Sequence, residues 1–301
     1  MDLGGRPLVG AVRALLGVPW AEARRLISSG KVMVGEAVIT DGRRPVTPGE
    51  RVALRLRAPR PETAQRRQVE GELIVHVDAA VVVVDKPAGL STVPYGDEPP
   101  GEVTLDALVR DVLARRDRIR GRAPLGVVQR LDKGTSGLLV FARTLAAKKH
   151  LGQQLREHTM HRRYLAIANG VVRGGTYRSY LVENRGDGLR GSASHGAREG
   201  QLAVTHVEAL EALAGGATLV ACRLETGRTH QIRIHLAEAG HPIVGEAVYV
   251  RGYRGPQIEA PRAMLHAAEL GFTHPAGGRA MRFQAGPPAD FVEMLERLRA
   301  G

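Results

Sequence analysis

The sequence predicts an α+β protein in two parts. A small α/β block precedes a larger one with a mixed, mostly antiparallel central sheet flanked by helices. Three observations predict it. The 301 residues suffice for roughly two domains at about 150 residues each. A polar, Pro-containing stretch without apolar period, residues 58–71, reads as a linker between residues 1–57 and 72–301. Beyond it, strand-like and helix-like runs interleave.

In the first block, Leu8, Val12, Leu15 and Leu16 recur at helical spacing. A turn over residues 17–19 follows. Ala21, Arg24, Arg25 and Ile27 read as a second helix, with Gly30 suited to its end. Val32 and Val34, then Val38 and Ile39, form two short strands around a turn at Gly35 and Glu36. The Pro48-Gly49 turn precedes Val52, Leu54 and Leu56. In the second block, residues 73–77, 81–85, 138–142, 164–168, 217–224 and 264–270 read as strands. Residues 105–116, 144–158 and 289–299 read as helices, with Thr144 as an N-cap. The Gly-rich stretch 186–200 has no apolar pattern and is expected to be a surface loop.

Composition narrows the function. The chain carries 43 Lys+Arg against 31 Asp+Glu, a net charge of +12. Only five of the basic residues are Lys, and residues 1–67 hold thirteen basic against six acidic side chains. Such an excess points to a polyanionic partner, of which nucleic acid is the commonest. The longest aliphatic stretch, residues 79–84, is far short of the roughly 20 residues a membrane helix needs. Asp2 stands where a signal peptide needs a basic region, and Arg13 breaks the first apolar run, so the cytoplasm is the expectation. One cysteine, Cys222, cannot form an internal disulfide.

Three stretches carry side chains that could do chemistry. In QRLDKGTSGLLVFAR, residues 129–143, Asp132 sits between Arg130 and Lys133 ahead of a small-residue turn and an apolar strand. Neighbouring cations favour the ionised carboxylate, which can serve as nucleophile, base or metal ligand, or pair structurally with Arg130. In LETGRTHQIRIHLAEAGHPIVGEAVY, residues 224–249, Arg228 and Arg233 flank His230 and Gln231. If this stretch is extended, Thr229, Gln231 and Arg233 share one face. His230, His235 and His241 lack the spacing of a helical metal pair and have no Cys beside them, so no metal is expected. In HRRYLAIANG, residues 161–170, Tyr164 follows two arginines, the composition of a base-stacking platform or of a core tyrosine. The DKGTSG run lacks the Gly-Lys-Ser/Thr ending of a phosphate loop, which discards a nucleoside triphosphate.

Taken together, the motifs resemble the RluA-type pseudouridine synthases of rRNA and tRNA. Residues 82–89 (VVVDKPAG), 129–143, 224–249 and 265–275 (LHAAELGFTHP) match that family's segments in order. Residues 6–57 resemble the small RNA-binding domain first described in a ribosomal small-subunit protein, with Gly35 and Glu36 in place of its usual Asn-Gly. The resemblance implies a catalytic domain with an active-site cleft that turns uridine in RNA into pseudouridine without cofactor or metal. The target is expected in rRNA, foremost of the large subunit, or in tRNA, with the enzyme a monomer.

The resemblance also implies roles. Asp132 would be the catalytic carboxylate. Tyr164 would stack on the target base and transfer a proton. Arg233 would pair with Asp132 and hold it ionised. Leu265 would pack under the base, and Arg130 would fill the space left when the nucleotide flips out. Gln231 and Arg228 join them as substrate-binding residues. Arg24, Arg25, Lys31, Lys148, Lys149, Arg162 and Arg163 are candidates for phosphate contacts. Two positions depart from the family pattern: Gln129 replaces its usual His, and Val250 a Gly. Two other readings remain open at this point. One is an RNA-binding or ribosome-assembly protein that keeps the fold without activity. The other is a hydrolytic glycosidase, which needs a second carboxylate such as Asp85 or Glu225 opposite Asp132.

Overall fold

The computed structural model describes residues 7–28, 30–35, 37–39, 44–55, 73–94, 103–193 and 200–300. They fall in two units, Met1–Glu72 and Leu73–Gly301. The expected linker, residues 58–71, lies outside the described residues.

In the first unit, Leu8, Ala11 and Val12 share one face of α1 (Leu8–Leu16) and are fully buried. Gly17, in the left-handed region at φ 65°, ends the helix and bonds its N–H to Arg13 O. Leu15 and Leu16, expected on the apolar face, are exposed, so the buried stripe spans only the first turns. Ala23 and Ile27 of α2 (Trp20–Ser28) join the same core with Val32, Val34 and Val46. Strands β1 (Val32–Val34), β2 (Ala37–Val38) and β3 (Val52–Leu54) form an antiparallel sheet in the order β2-β1-β3.

The second unit opens with β4 (Ile74–Val77), β5 (Val81–Lys86), α3 (Leu105–Arg116), β6 (Gly126–Val127), β7 (Ser136–Ala142) and α4 (Leu145–Arg156). It continues with β8 (His161–Asn169), β9 (Gly175–Val182), β10 (Gly191–Ser192), β11 (Gln201–Leu213) and β12 (Ala217–Leu224). Helix α5 (Gln231–Glu238), β13 (Leu265–Thr273), β14 (Ala280–Gln284) and α6 (Ala289–Ala300) complete it. The strands make an 11-stranded sheet in the order β10-β9-β11-β12-β8-β13-β7-β5-β4, with β14 on β13 and β6 on β7. Among the described residues, every pairing in it is antiparallel except β13 with β7. Val81, Val83, Leu138 and Val140 pack against Ala147 and Leu151 of α4. Thr144 Oγ1 accepts the N–H of Ala147 at 3.1 Å and caps that helix.

Two stretches carry elements that the residue pattern does not mark. The first is β11, the 13-residue strand between β9 and β12. Its second half, EALEAL, has helix-forming composition, and backbone pairing to β12 overrides it. The second is residues 231–238, which form the helix α5, so the condition of an extended stretch with Thr229, Gln231 and Arg233 on one face does not hold. Ile232, Ile234, His235 and Leu236 are all buried, so no one-sided apolar stripe marks this helix in the sequence.

Sheet order brings distant segments together. Strand β13 lies between β8 and β7, so Leu265, Tyr164 and the turn ahead of β7 that carries Asp132 converge on one place. Gly137 makes the parallel β7–β13 contact possible. Its φ is 111°, and a Cβ there would lie 2.3 Å from Ala267 O.

Candidate active site

The turn that carries Asp132 is held from behind by the segment after β5. Thr92 Oγ1 donates to Leu131 O at 2.7 Å and accepts the Leu131 N–H at 3.1 Å. Gly89 N–H donates to Lys133 O at 2.7 Å. The Lys86 ammonium is buried and donates to the carbonyls of Pro87, Leu90 and Lys133. Burial pushes the Lys86 amine down to about 7, against the pull of Asp132. The DKPAG stretch therefore fixes the position of the carboxylate loop.

Helix α5 supplies the partners of that carboxylate. Arg233 Nη1 lies 3.6 Å from Asp132 Oδ2, and His230 Nε2 lies 3.7 Å from Oδ1. Arg233 makes its closest pair elsewhere. Its Nε and Nη2 donate to the two oxygens of Glu246, each at 2.7 Å. Burial opposes the charge on Glu246, but hydrogen bonds from Arg233 and from the N–H groups of Val248 and Tyr249 outweigh it and lower its pKa. Arg233 is likewise raised: burial works against its charge, and Glu246 and Asp132 more than offset that. The Tyr249 ring lies under the Arg233 guanidinium, 5.2 Å from its carbon, and its hydroxyl meets His230 Nδ1 at 2.6 Å. His230 adopts φ 57° at the start of α5, and burial lowers its pKa against the opposing charge of Asp132.

A cavity of about 380 Å³ opens on this group. It is lined by Asp132, Tyr164, Arg233, Arg130, Leu265, Gln231 and Arg228, the seven residues to which the sequence argument gave catalytic or substrate-binding roles. Among the described residues, Asp132 is the single carboxylate on a wall that also carries five arginines. Asp85 and Glu225 do not line it, and Glu225 is paired with His206 at 2.6 Å. Tyr164 is buried, and burial raises its pKa against the pull of Arg162. Among the described residues, no group of three or more His, Cys, Asp or Glu is placed to hold a metal.

The structure gives Gln231 a position of its own. Its Oε1 accepts from Thr226 Oγ1 and Arg228 N–H, and its Nε2 donates to Val204 O and Thr205 Oγ1. That exhausts the amide's hydrogen-bonding capacity, so Gln231 braces the loop. On a helix it does not share a face with Arg233, in contrast to the extended reading.

The phosphate-contact candidates separate. Lys148 and Lys149 are exposed on α4, as is Arg24 on α2. Arg25 pairs with Glu22 at 2.6 Å, and Lys31 is half-buried. Arg163 pairs with Glu269 at 2.9 Å on the face of β8 opposite Tyr164. Arg162, expected at the surface, is buried in the cavity wall because strand alternation places it on the same face as Tyr164. Sequence reasoning missed Lys86, His230 as a neighbour of the carboxylate, Glu246 and Tyr249. The last two sit five and eight residues past His241 in the same motif, and only the fold shows what they touch.

The chain is similar to known proteins. Residues 80–238 match the model of the RNA pseudouridylate synthase family, and residues 8–52 match that of the S4 domain. A ribosomal large subunit pseudouridine synthase D of Xylella fastidiosa is 37% identical over 91% of this chain and 82% of its own length. The Bacillus subtilis protein called uncharacterized RNA pseudouridine synthase YlyB is 34% identical over 92% of this chain and 89% of its own. Human RNA pseudouridylate synthase domain containing 4 shares the fold, with a TM-score of 0.62 over 79% of this chain and 98% of its own, at 24% identity.

Proposed function

Because the chain belongs to the RNA pseudouridylate synthase family, with an S4 domain ahead of the catalytic part, we propose that it isomerises a uridine of large-subunit rRNA, with Asp132 acting on the ribose. The observation that carries this reading is that, among the described residues, one carboxylate shares the cavity wall with five arginines. A hydrolytic glycosidase would need a second carboxylate across the site. The relatives named for the large ribosomal subunit support the choice of RNA.

The reaction breaks the bond from C1′ to N1, turns the uracil and joins C5 to C1′. Asp132 meets the sugar either by adding to C1′ or by taking the 2′ proton. The nitrogens of Arg233 and His230 stand at 3.6 and 3.7 Å from it, beyond strong hydrogen-bond range, so its oxygens stay available to the sugar. Arg233, clamped by Glu246, keeps a fixed positive charge beside it. Tyr164 and Leu265, from adjacent strands, form the walls between which the base lies. A base in a stem is out of reach, so the nucleotide flips out at a cost of a few kcal/mol, and Arg130 at the cavity mouth takes its place.

Tritium release from RNA labelled at C5 of uridine tests the reading. Wild-type protein is expected to release tritium from large-subunit rRNA. Asp132→Asn is expected to lower the rate by at least about a thousandfold while RNA binding stays within a few-fold. No release by wild type from rRNA or tRNA overturns the proposed activity, and free uracil in the product indicates hydrolysis instead.

A further inference from the structure

Arg162 is a buried cation with no anion beside it among the described residues. Its side chain lines the catalytic cavity, yet the residue is only 6% exposed. Nη2 donates to the carbonyls of Glu225 at 3.0 Å and Thr226 at 3.4 Å. Nε is buried with no hydrogen-bond partner among the described residues, and no carboxylate there lies within ion-pair distance of the guanidinium. Arg233, by contrast, has Glu246. Burying an uncompensated charge is expensive, and proteins otherwise pair it. Backbone carbonyls offset part of that cost. The rest has a reason if the reaction itself supplies the negative charge.

The isomerisation does supply one. When the C1′–N1 bond breaks, its electron pair leaves with the uracil and spreads over the ring and its two carbonyl oxygens. The ring then turns, C5 gives its electron pair to C1′, the C5 proton passes to solvent and N1 takes up a proton. On the reading given above, the ring lies against Tyr164, two residues along β8 from Arg162 and on the same face. We propose that Arg162 is the group that receives the negative charge the uracil carries between cleavage and re-attachment. A fixed cation in a water-poor cavity lowers the barrier because it need not reorganise as the charge appears.

Gly227 offers a way to move this charge without deleting it. A Cβ at Gly227 would lie 2.5 Å from Arg162 Nη1, and its φ is outside the left-handed region, so alanine there displaces the guanidinium without backbone strain. The experiment compares wild type, Arg162→Gln, Arg162→Lys and Gly227→Ala on the same RNA carrying uridine or 5-fluorouridine. Conversion to the C-glycoside is read after nuclease digestion; on 5-fluorouridine, which has no C5 proton to lose, C5 keeps its fluorine and water adds across the resulting C6–N1 double bond. Fluorine stabilises the ring anion by itself and so reduces the need for the cation. Arg162→Gln is expected to lower kcat on uridine about 100-fold with KM within threefold, and Gly227→Ala about tenfold. Both losses should shrink at least severalfold on 5-fluorouridine, and Arg162→Lys should recover part of the rate. Equal losses on both substrates, a change confined to KM, or full activity of a folded variant overturns the inference. If Arg162→Gln does not fold, Gly227→Ala decides it. Wild type without turnover sinks the proposed reaction and this inference together, whereas turnover with substrate-independent losses sinks this one alone.

Discussion

Arg233 holds Glu246 with two nitrogens at 2.7 Å and reaches Asp132 with a third at 3.6 Å. The tight pair positions the cation, and the loose one leaves the carboxylate usable. Glu246 has a fully buried side chain, so removing it strands the Arg233 charge. Glu246→Ala is expected to cost about 3 to 5 kcal/mol of stability in urea unfolding. Glu246→Gln keeps the shape and loses the charge. It should unfold closer to wild type yet turn over at least about tenfold more slowly. A folded Glu246→Gln with wild-type kcat would remove this residue from the positioning of Arg233.

The parallel contact of β7 with β13 rests on a missing side chain. Gly137→Ala would force a methyl to 2.3 Å from Ala267 O at φ 111°. The clash and the backbone strain together are expected to cost about 3 kcal/mol or more. Thermal unfolding measures it, and a melting temperature equal to wild type contradicts the described packing.

Acid should weaken the second unit through His235. The ring is buried between Thr205 Oγ1 at 2.8 Å and Ser179 Oγ at 3.0 Å, and burial lowers its pKa from 6.5 to about 4. Between these values the unfolded chain binds the proton and the folded one does not, so stability falls as pH falls from 6.5 to about 4. The full effect is about 3 kcal/mol. His235→Gln should flatten this limb of the stability curve. An unaltered slope in that variant excludes His235 as its source.

RNA affinity should depend on salt through the exposed lysines of α4. The double variant Lys148→Ala, Lys149→Ala is expected to bind more weakly, with a slope of log K against log salt shallower by up to about two. Its kcat at saturating RNA should stay at the wild-type value. A slope identical to wild type places α4 outside the RNA interface.

Much of this protein is legible in its residues. Helix α3 follows the expected bounds, Leu105–Arg116, because it is a long run with good helix formers that starts after the extended Thr104. The carboxylate loop stands out because a lone Asp between cations precedes a small-residue turn and an apolar strand. Even the separation of Arg162 from Arg163 lies in the period of β8, once that stretch is read as a strand rather than as a basic cluster. Helix α5 does not stand out, since it is buried nearly all round.

By itself the sequence determined the chemistry available, a net charge of +12 and a carboxylate among arginines, along with most of the local elements, because these depend on neighbours within a few residues. Only the tertiary structure decided which arginine pairs with Glu246, which one is buried with no carboxylate beside it among the described residues, and that Lys86 braces the Asp132 loop from 46 positions earlier in the chain. Those facts are set by the order of strands in one sheet, where β13 comes to lie between β8 and β7. Hydrogen bonds and ion pairs act over a few ångströms of space, and separation along the chain does not encode that distance.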